Sequence, residues 1–155
     1  MVIRDTTALG ALAGIAATIP QLIIDFLFVQ FGFSKYYAFQ LSAGIFVSER
    51  FTDDALGLLL GGMVWMATAM ILGIATVYYL KKTGTDFWWL KGIIVSNLLM
   101  YTFIFGFLFN IGAGQVVPLD IPTNLTMFIT NVIFGITVAY LVLRWGDNSL
   151  LYAKK

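Results

Sequence analysis

The stretch ALGLLLGGMVWMATAMILGIATVYYL, from Ala55 to Leu80, contains no charged residue. A helix rises about 1.5 Å per residue and the hydrocarbon core of a bilayer is about 30 Å thick, so about 20 continuous apolar residues suffice to cross it. This run exceeds that length. Lys81 and Lys82 follow it at once, cations that suit both the negative end of a helix and the headgroup layer. Thr52, Asp53 and Asp54 precede it and supply the side-chain oxygens that accept orphan N–H groups at a helix start. The stretch reads as a membrane-crossing helix, and its neighbours have to be read in that light.

Three further runs qualify. Leu9 to Phe31 carries Pro20, Gln21, Asp25 and Gln30, Phe87 to Phe109 carries Lys91 in its first turn, and Leu125 to Leu143 is uncharged but includes Thr126, Thr130, Asn131 and Thr137. Asp86 is placed to cap the third run, Pro122 and Thr123 open the fourth, and Arg144 closes it. A membrane barrel would need short alternating segments, whereas these runs are continuous. The first run is also longer than the apolar region of a signal peptide, which is about 7–15 residues, so it is expected to stay as a helix. The predicted fold is therefore a single all-α domain over residues 1–155, a polytopic transmembrane four-helix bundle with spans at about 9–31, 55–80, 87–109 and 125–143.

Composition agrees. Of 155 residues, 60% are hydrophobic and 11% charged, with mean hydropathy +0.91, against about 25% charged in soluble domains. Cysteine and histidine are both absent, which removes disulfides, thiolate nucleophiles, imidazole bases and the usual zinc, haem and iron–sulfur ligands. A net charge of +1 gives no footprint for nucleic acid. No cofactor or metal site is expected.

Orientation follows from the nine Lys and Arg residues. With the N-terminus inside, Arg4, Lys81, Lys82, Lys91, Arg144, Lys154 and Lys155 fall inside, and Lys35 and Arg50 outside. Tyr78, Tyr79, Trp88, Trp89 and Trp145 fall at that same inner face, as an aromatic belt should. Both termini are expected in the cytoplasm. The outer loop Gly32–Asp54 contains an apolar segment, Tyr36 to Ser48, too short to cross, which predicts an interfacial or re-entrant helix. In the second outer loop Gly112, Gly114, Pro118 and Pro122 disfavour regular structure. The tight loop from Lys81 to Asp86 makes spans two and three an antiparallel hairpin.

Two patterns hint at duplication. Gly73-Ile74, Tyr78 and Gly84 recur 62 residues later as Gly135-Ile136, Tyr140 and Gly146, and Gly14 and Gly92 correspond at an offset of 78. Shared membrane composition alone also produces such matches. Phe31-Gly32-Phe33 entering the outer loop, Leu119-Asp120 with Thr123, and Ile133-Phe134-Gly135 through Tyr140 together resemble the uncharacterised YqhR-type membrane proteins of spore-forming bacteria. That resemblance implies a four-helix protein of the bacterial cytoplasmic membrane and carries no activity with it.

Small residues and one acid mark the functional candidates. Gly10 and Gly14, Gly57 and Gly61, and Ala69 with Gly73 are spaced for close helix approach, either within the bundle or across a dimer. Asp25 is the only carboxylate within a predicted span; near a helix centre such a residue opposes insertion by about 2.5–3.5 kcal/mol. It should therefore face protein or water. Gly10, Gly14, Thr18, Gln21 and Asp25 recur at steps of three or four and form one small-to-polar stripe. Asn97, with Ser96 and Tyr101 nearby, and Asn131 with Thr130 and Asn124, lie on spans three and four and are expected to complete an interior polar cluster. Asp25 then either ties helices together or holds a proton or cation. Lys91 is expected to snorkel to the headgroups, Glu49, Arg50, Asp53 and Asp54 form a solvated turn, and Trp65 is packing. No P-loop, dinucleotide fingerprint, HExxH or GxSxG occurs. Three functions compete: a non-enzymatic scaffold or accessory subunit assembling through small-residue faces as a homo-oligomer or with a membrane-protein partner, a small proton- or cation-conducting channel or transporter built on Asp25, and an intramembrane enzyme acting on lipid. The last is least favoured, because one carboxylate without histidine, cysteine or a second buried acid leaves little acid–base machinery.

Overall fold

The computed structural model describes residues 2–111, 116 and 118–147. Gly112 and Gly114, which the sequence places between the third and fourth spans, and Lys154 and Lys155 of the charge count, lie outside the described residues. Among the described residues the chain is helical, with no strand beyond an isolated parallel bridge between Ile3 and Gly146. Four helices are long and apolar enough to cross a membrane: Thr6–Gln30, Ala55–Thr83, Trp88–Leu108 and Ile121–Trp145.

The first, α1 (Thr6–Gln30), starts at Asp5, whose carboxylate accepts the Ala8 N–H at 2.6 Å. It runs unbroken through Pro20. A short helix α2 (Ala38–Ala43) and a 3₁₀ turn (Glu49–Phe51) lie between α1 and α3 (Ala55–Thr83). Asp54 stands at the N-cap of α3, but its side chain makes no capping bond. The third span is composite: α4 (Trp88–Ile93), a π-helical segment (Ile94–Phe105) and α5 (Gly106–Asn110). Its N-cap is Phe87, with φ of 52° and ψ of 38°, rather than Asp86. Together with Gly84 at φ of 84°, that left-handed residue folds the chain back within a few residues. The π segment has no signature in the sequence, because its wider turn leaves a face of buried residues at steps of four and five (Ser96, Met100, Phe105) that a 3.6-residue period hides. Finally, α6 (Ile121–Trp145) begins at Asp120, whose carboxylate accepts the Thr123 N–H at 3.0 Å.

Lys91 has protein partners as well: its ammonium donates to the carbonyls of Thr83 (3.0 Å) and Gly84 (2.8 Å), so it satisfies the open end of α3.

Glycine decides which helices meet. A Cβ on Gly14 would overlap the Ala69 carbonyl oxygen, and one on Gly73 the Gly10 carbonyl oxygen, so α1 and α3 touch backbone to backbone. Gly92 and Gly135 do the same for α4 and α6, with the Ser96 hydroxyl against Gly135. These are the positions that the offsets of 78 and 62 pair, and each pair joins the two helices of its own half. Gly61 lies against the Phe39 carbonyl of α2 and Gly57 against Phe51. Between the halves, α1 packs on α6, whereas α3 and the third span, though consecutive in sequence, touch little. Half of the α6 membrane window is buried inside the protein, more than in any other span.

The halves are also tied at both ends. Ile3 N–H donates to the Trp145 carbonyl at 2.8 Å, Asp147 N–H to the Ile3 carbonyl at 3.3 Å, and Arg4 pairs with the Asp147 carboxylate at 3.3 Å. At the far end Lys35 pairs with Asp120 at 3.4 Å, and its N–H donates to the Thr123 hydroxyl oxygen at 3.1 Å.

Candidate functional site: a polar centre between α1, α3 and α6

Asp25 faces the interior, 5% exposed. Its Oδ2 accepts the N–H of Ala38, the first residue of α2, at 3.0 Å. The first N–H groups of a helix lack partners within it, and a carboxylate buried in an apolar layer needs donors, so each group answers the other's requirement. The α2 start is set locally as well: Gln40 Oε1 accepts the Tyr37 N–H at 2.6 Å, and its amide nitrogen donates to Asp53. Asp25 thus pins a folded-back loop against α1, and α2 rests on the other side against Gly61 of α3.

One turn toward the termini, Gln21 is 1% exposed, and its Nε2 donates to Asn131 Oδ1 of α6 at 3.4 Å. Asn131 Nδ2 in turn donates to the Met127 carbonyl at 2.9 Å, an acceptor it shares with the Thr130 hydroxyl at 3.1 Å. Thr18 turns back on its own helix, donating to the Ile15 carbonyl at 2.7 Å and lying 3.9 Å from the Met66 sulfur.

Two small cavities, each with about 10 Å³ of space for the centre of a water molecule, divide these groups. Asp25, Thr130 and Asn131 line the one beside α2; Gln21, Thr68 and Asn131 line the other. Trp65 and Asn131 border both. Trp65, read from the sequence as packing rather than as a ligand platform, packs in the core and is also, with Asn131, where the two cavities meet. A lone mid-span tryptophan gives no sequence signal for this.

Asn97 does not join the cluster. In the amide orientation that satisfies both of its ends, its nitrogen donates to the Phe128 carbonyl (3.2 Å) and its oxygen accepts the Val132 N–H (3.3 Å). It therefore inserts into one rung of the α6 backbone and borders neither cavity. Asn124 also stands apart. Its Oδ1 accepts the Tyr101 hydroxyl at 2.8 Å, and its Nδ2 donates to the carbonyls of Pro118 and Asp120. Ser96 is used on its own helix, donating to the Ile93 carbonyl at 3.2 Å. The polar stripe of α1 therefore converges with α6 through Gln21 and Asn131 and with α2 through Asp25, while Asn97 and Tyr101 of the third span bond to α6 and Ser96 and Thr102 to their own helix.

Gly10, Gly14, Gly57, Gly61 and Gly73, read from the sequence as packing faces, are all in contact with other parts of the same chain. Each is already pressed against backbone, which leaves no room there for a helix from a second copy. Among the described residues no three His, Cys, Asp or Glu side chains gather as a metal site. No protein-family model, curated protein or solved structure matches this chain.

Proposed function

We propose that this multi-pass membrane protein is a non-enzymatic scaffold or accessory subunit, and that its intramembrane acid is structural. The bond from the Ala38 N–H to Asp25 carries this reading, since it commits the carboxylate to holding α2 in place. The glycine contacts add to it. They are made within the chain, so partner recognition falls to the outward apolar faces, such as Leu56, Leu59, Met63 and Ile71 on α3, each more than 60% exposed. The seven-to-two distribution of cations supports cytoplasmic termini, and the YqhR-type resemblance supports a bacterial cytoplasmic membrane.

Conduction of a proton or cation is the competing reading, and one observation favours it: Asp25 and Gln21 line neighbouring cavities that share Asn131 and Trp65. Liposomes containing the purified protein and a pH-sensitive dye separate the two. The structural reading expects wild-type proton and alkali-cation flux equal to that of protein-free liposomes under an imposed gradient and potential. A flux above that level, abolished by Asp25→Asn in a variant that still folds, would overturn it.

A further inference from the structure

The centre of the bundle contains two polar atoms without a partner in the protein, Gln21 Oε1 and Trp65 Nε1. Both residues are more than nine-tenths buried, at 1% and 8% exposure, and both line the same cavity. The two atoms are complementary: an amide oxygen only accepts, and an indole N–H only donates. At membrane depth neither can turn to bulk solvent, and each left unpaired costs several kcal/mol on hydrocarbon reference scales. One group that accepts from the indole and donates to the amide satisfies both, and that group is an O–H.

We propose that this cavity is a specific binding site for a single water molecule that bridges Trp65 of α3 to Gln21 of α1. Its space of about 10 Å³ for a water's centre is at the lower limit for holding one water and too small for two. Thr68 of α3 and Asn131 of α6 also line it and supply further polar neighbours, in keeping with the two to four partners a buried water takes. Through the Gln21–Asn131 bond the water extends the tie to α6. It thereby gives α3 a polar link to the centre that its glycine contacts do not provide.

An O–H could also arrive on a lipid alcohol, because Thr68, Leu72 and Met100 border both this cavity and an apolar cleft between α3 and the third span. Solution NMR of the full chain in nanodiscs of chain-deuterated phosphatidylcholine, with and without added diacylglycerol, distinguishes the sources. Trp65→Phe identifies the indole signal among the four tryptophans. The proposal expects the Trp65 indole proton to show through-space cross-peaks to a long-lived water and slow exchange with solvent deuterium. Gln21→Met is expected to weaken those cross-peaks several-fold without loss of the folded spectrum. If Gln21→Met does not fold, the Gln21 amide protons in Trp65→Phe are read instead, and their water cross-peak should vanish. A wild-type indole proton with no water contact, or with contacts to the diacylglycerol hydroxyl or glycerol protons, would overturn it.

Discussion

The two halves of the bundle begin alike and then part. Gly14 with Gly73 and Gly92 with Gly135 bring paired helices to backbone contact by the same device. Beyond those contacts α1 remains a regular helix and presents Gln21 and Asp25, whereas the third span widens into a π-helix and offers Asn97. The first half uses its polar groups on α2, which lies between its own two spans, and on α6; the second uses Asn97 on the backbone of its own partner helix. Close approach in lipid comes from removing side chains. What a pair of helices does with the space past the contact depends on a few polar residues, and these differ between the halves.

The largest effect is expected where the halves agree. Gly14→Val drives a side chain into the Ala69 carbonyl, and Gly135→Val drives one into the Gly92 carbonyl. Backbone on an adjacent helix cannot step aside as a rotamer can, so each should lose about 3 kcal/mol, the upper end of the usual overpacking cost. Reversible unfolding in mixed micelles measures this; if one variant is near neutral, that half does not depend on its contact.

A smaller effect, confined to the first half, is expected from Asp25→Ala. It leaves the Ala38 N–H buried without its acceptor, at about 1–3 kcal/mol, and should speed proteolysis between residues 31 and 54 while the second half stays resistant. Asp25→Asn keeps an acceptor oxygen and should lie between wild type and Ala. Equal cleavage in all three proteins would mean that α2 is held by its packing on α3 alone.

The mildest change falls on the latch between the halves. The Asp120 carboxyl titrates below its ordinary value because the Thr123 N–H bonds to it, followed by the Thr123 hydroxyl and the Lys35 ammonium. A lowered folded value means that the stabilisation is present above the ordinary carboxylate range and is lost as pH falls through the lowered one. Wild type should thus lose part of its advantage over Asp120→Asn on acidification, in paired unfolding curves. A difference that does not change with pH would show that the charge on Asp120 contributes nothing.

The spans were legible in the sequence because a bilayer imposes length and apolarity together. The four predicted segments, 9–31, 55–80, 87–109 and 125–143, overlap the helices at Thr6–Gln30, Ala55–Thr83, Trp88–Leu108 and Ile121–Trp145. The short helix near Tyr36–Ser48 was legible for the complementary reason, being too apolar for water and too short to cross. The inward turn of Asp25 followed from the cost of a carboxylate in hydrocarbon, but its partner did not, since a backbone N–H has no side-chain signature. The roles of Asp120 and Lys91 were hidden likewise: each satisfies backbone groups at a helix end, a need fixed only once the turn is formed. Asn97 shares the depth of the polar centre, but depth does not specify direction on a helix that leaves the 3.6-residue period.

The partner of Asp25 lies 13 residues along the chain. The donor that satisfies the buried acid is therefore carried by the segment that directly follows α1, so the bond closes a small ring of chain that includes no residue of α6 or of the third span.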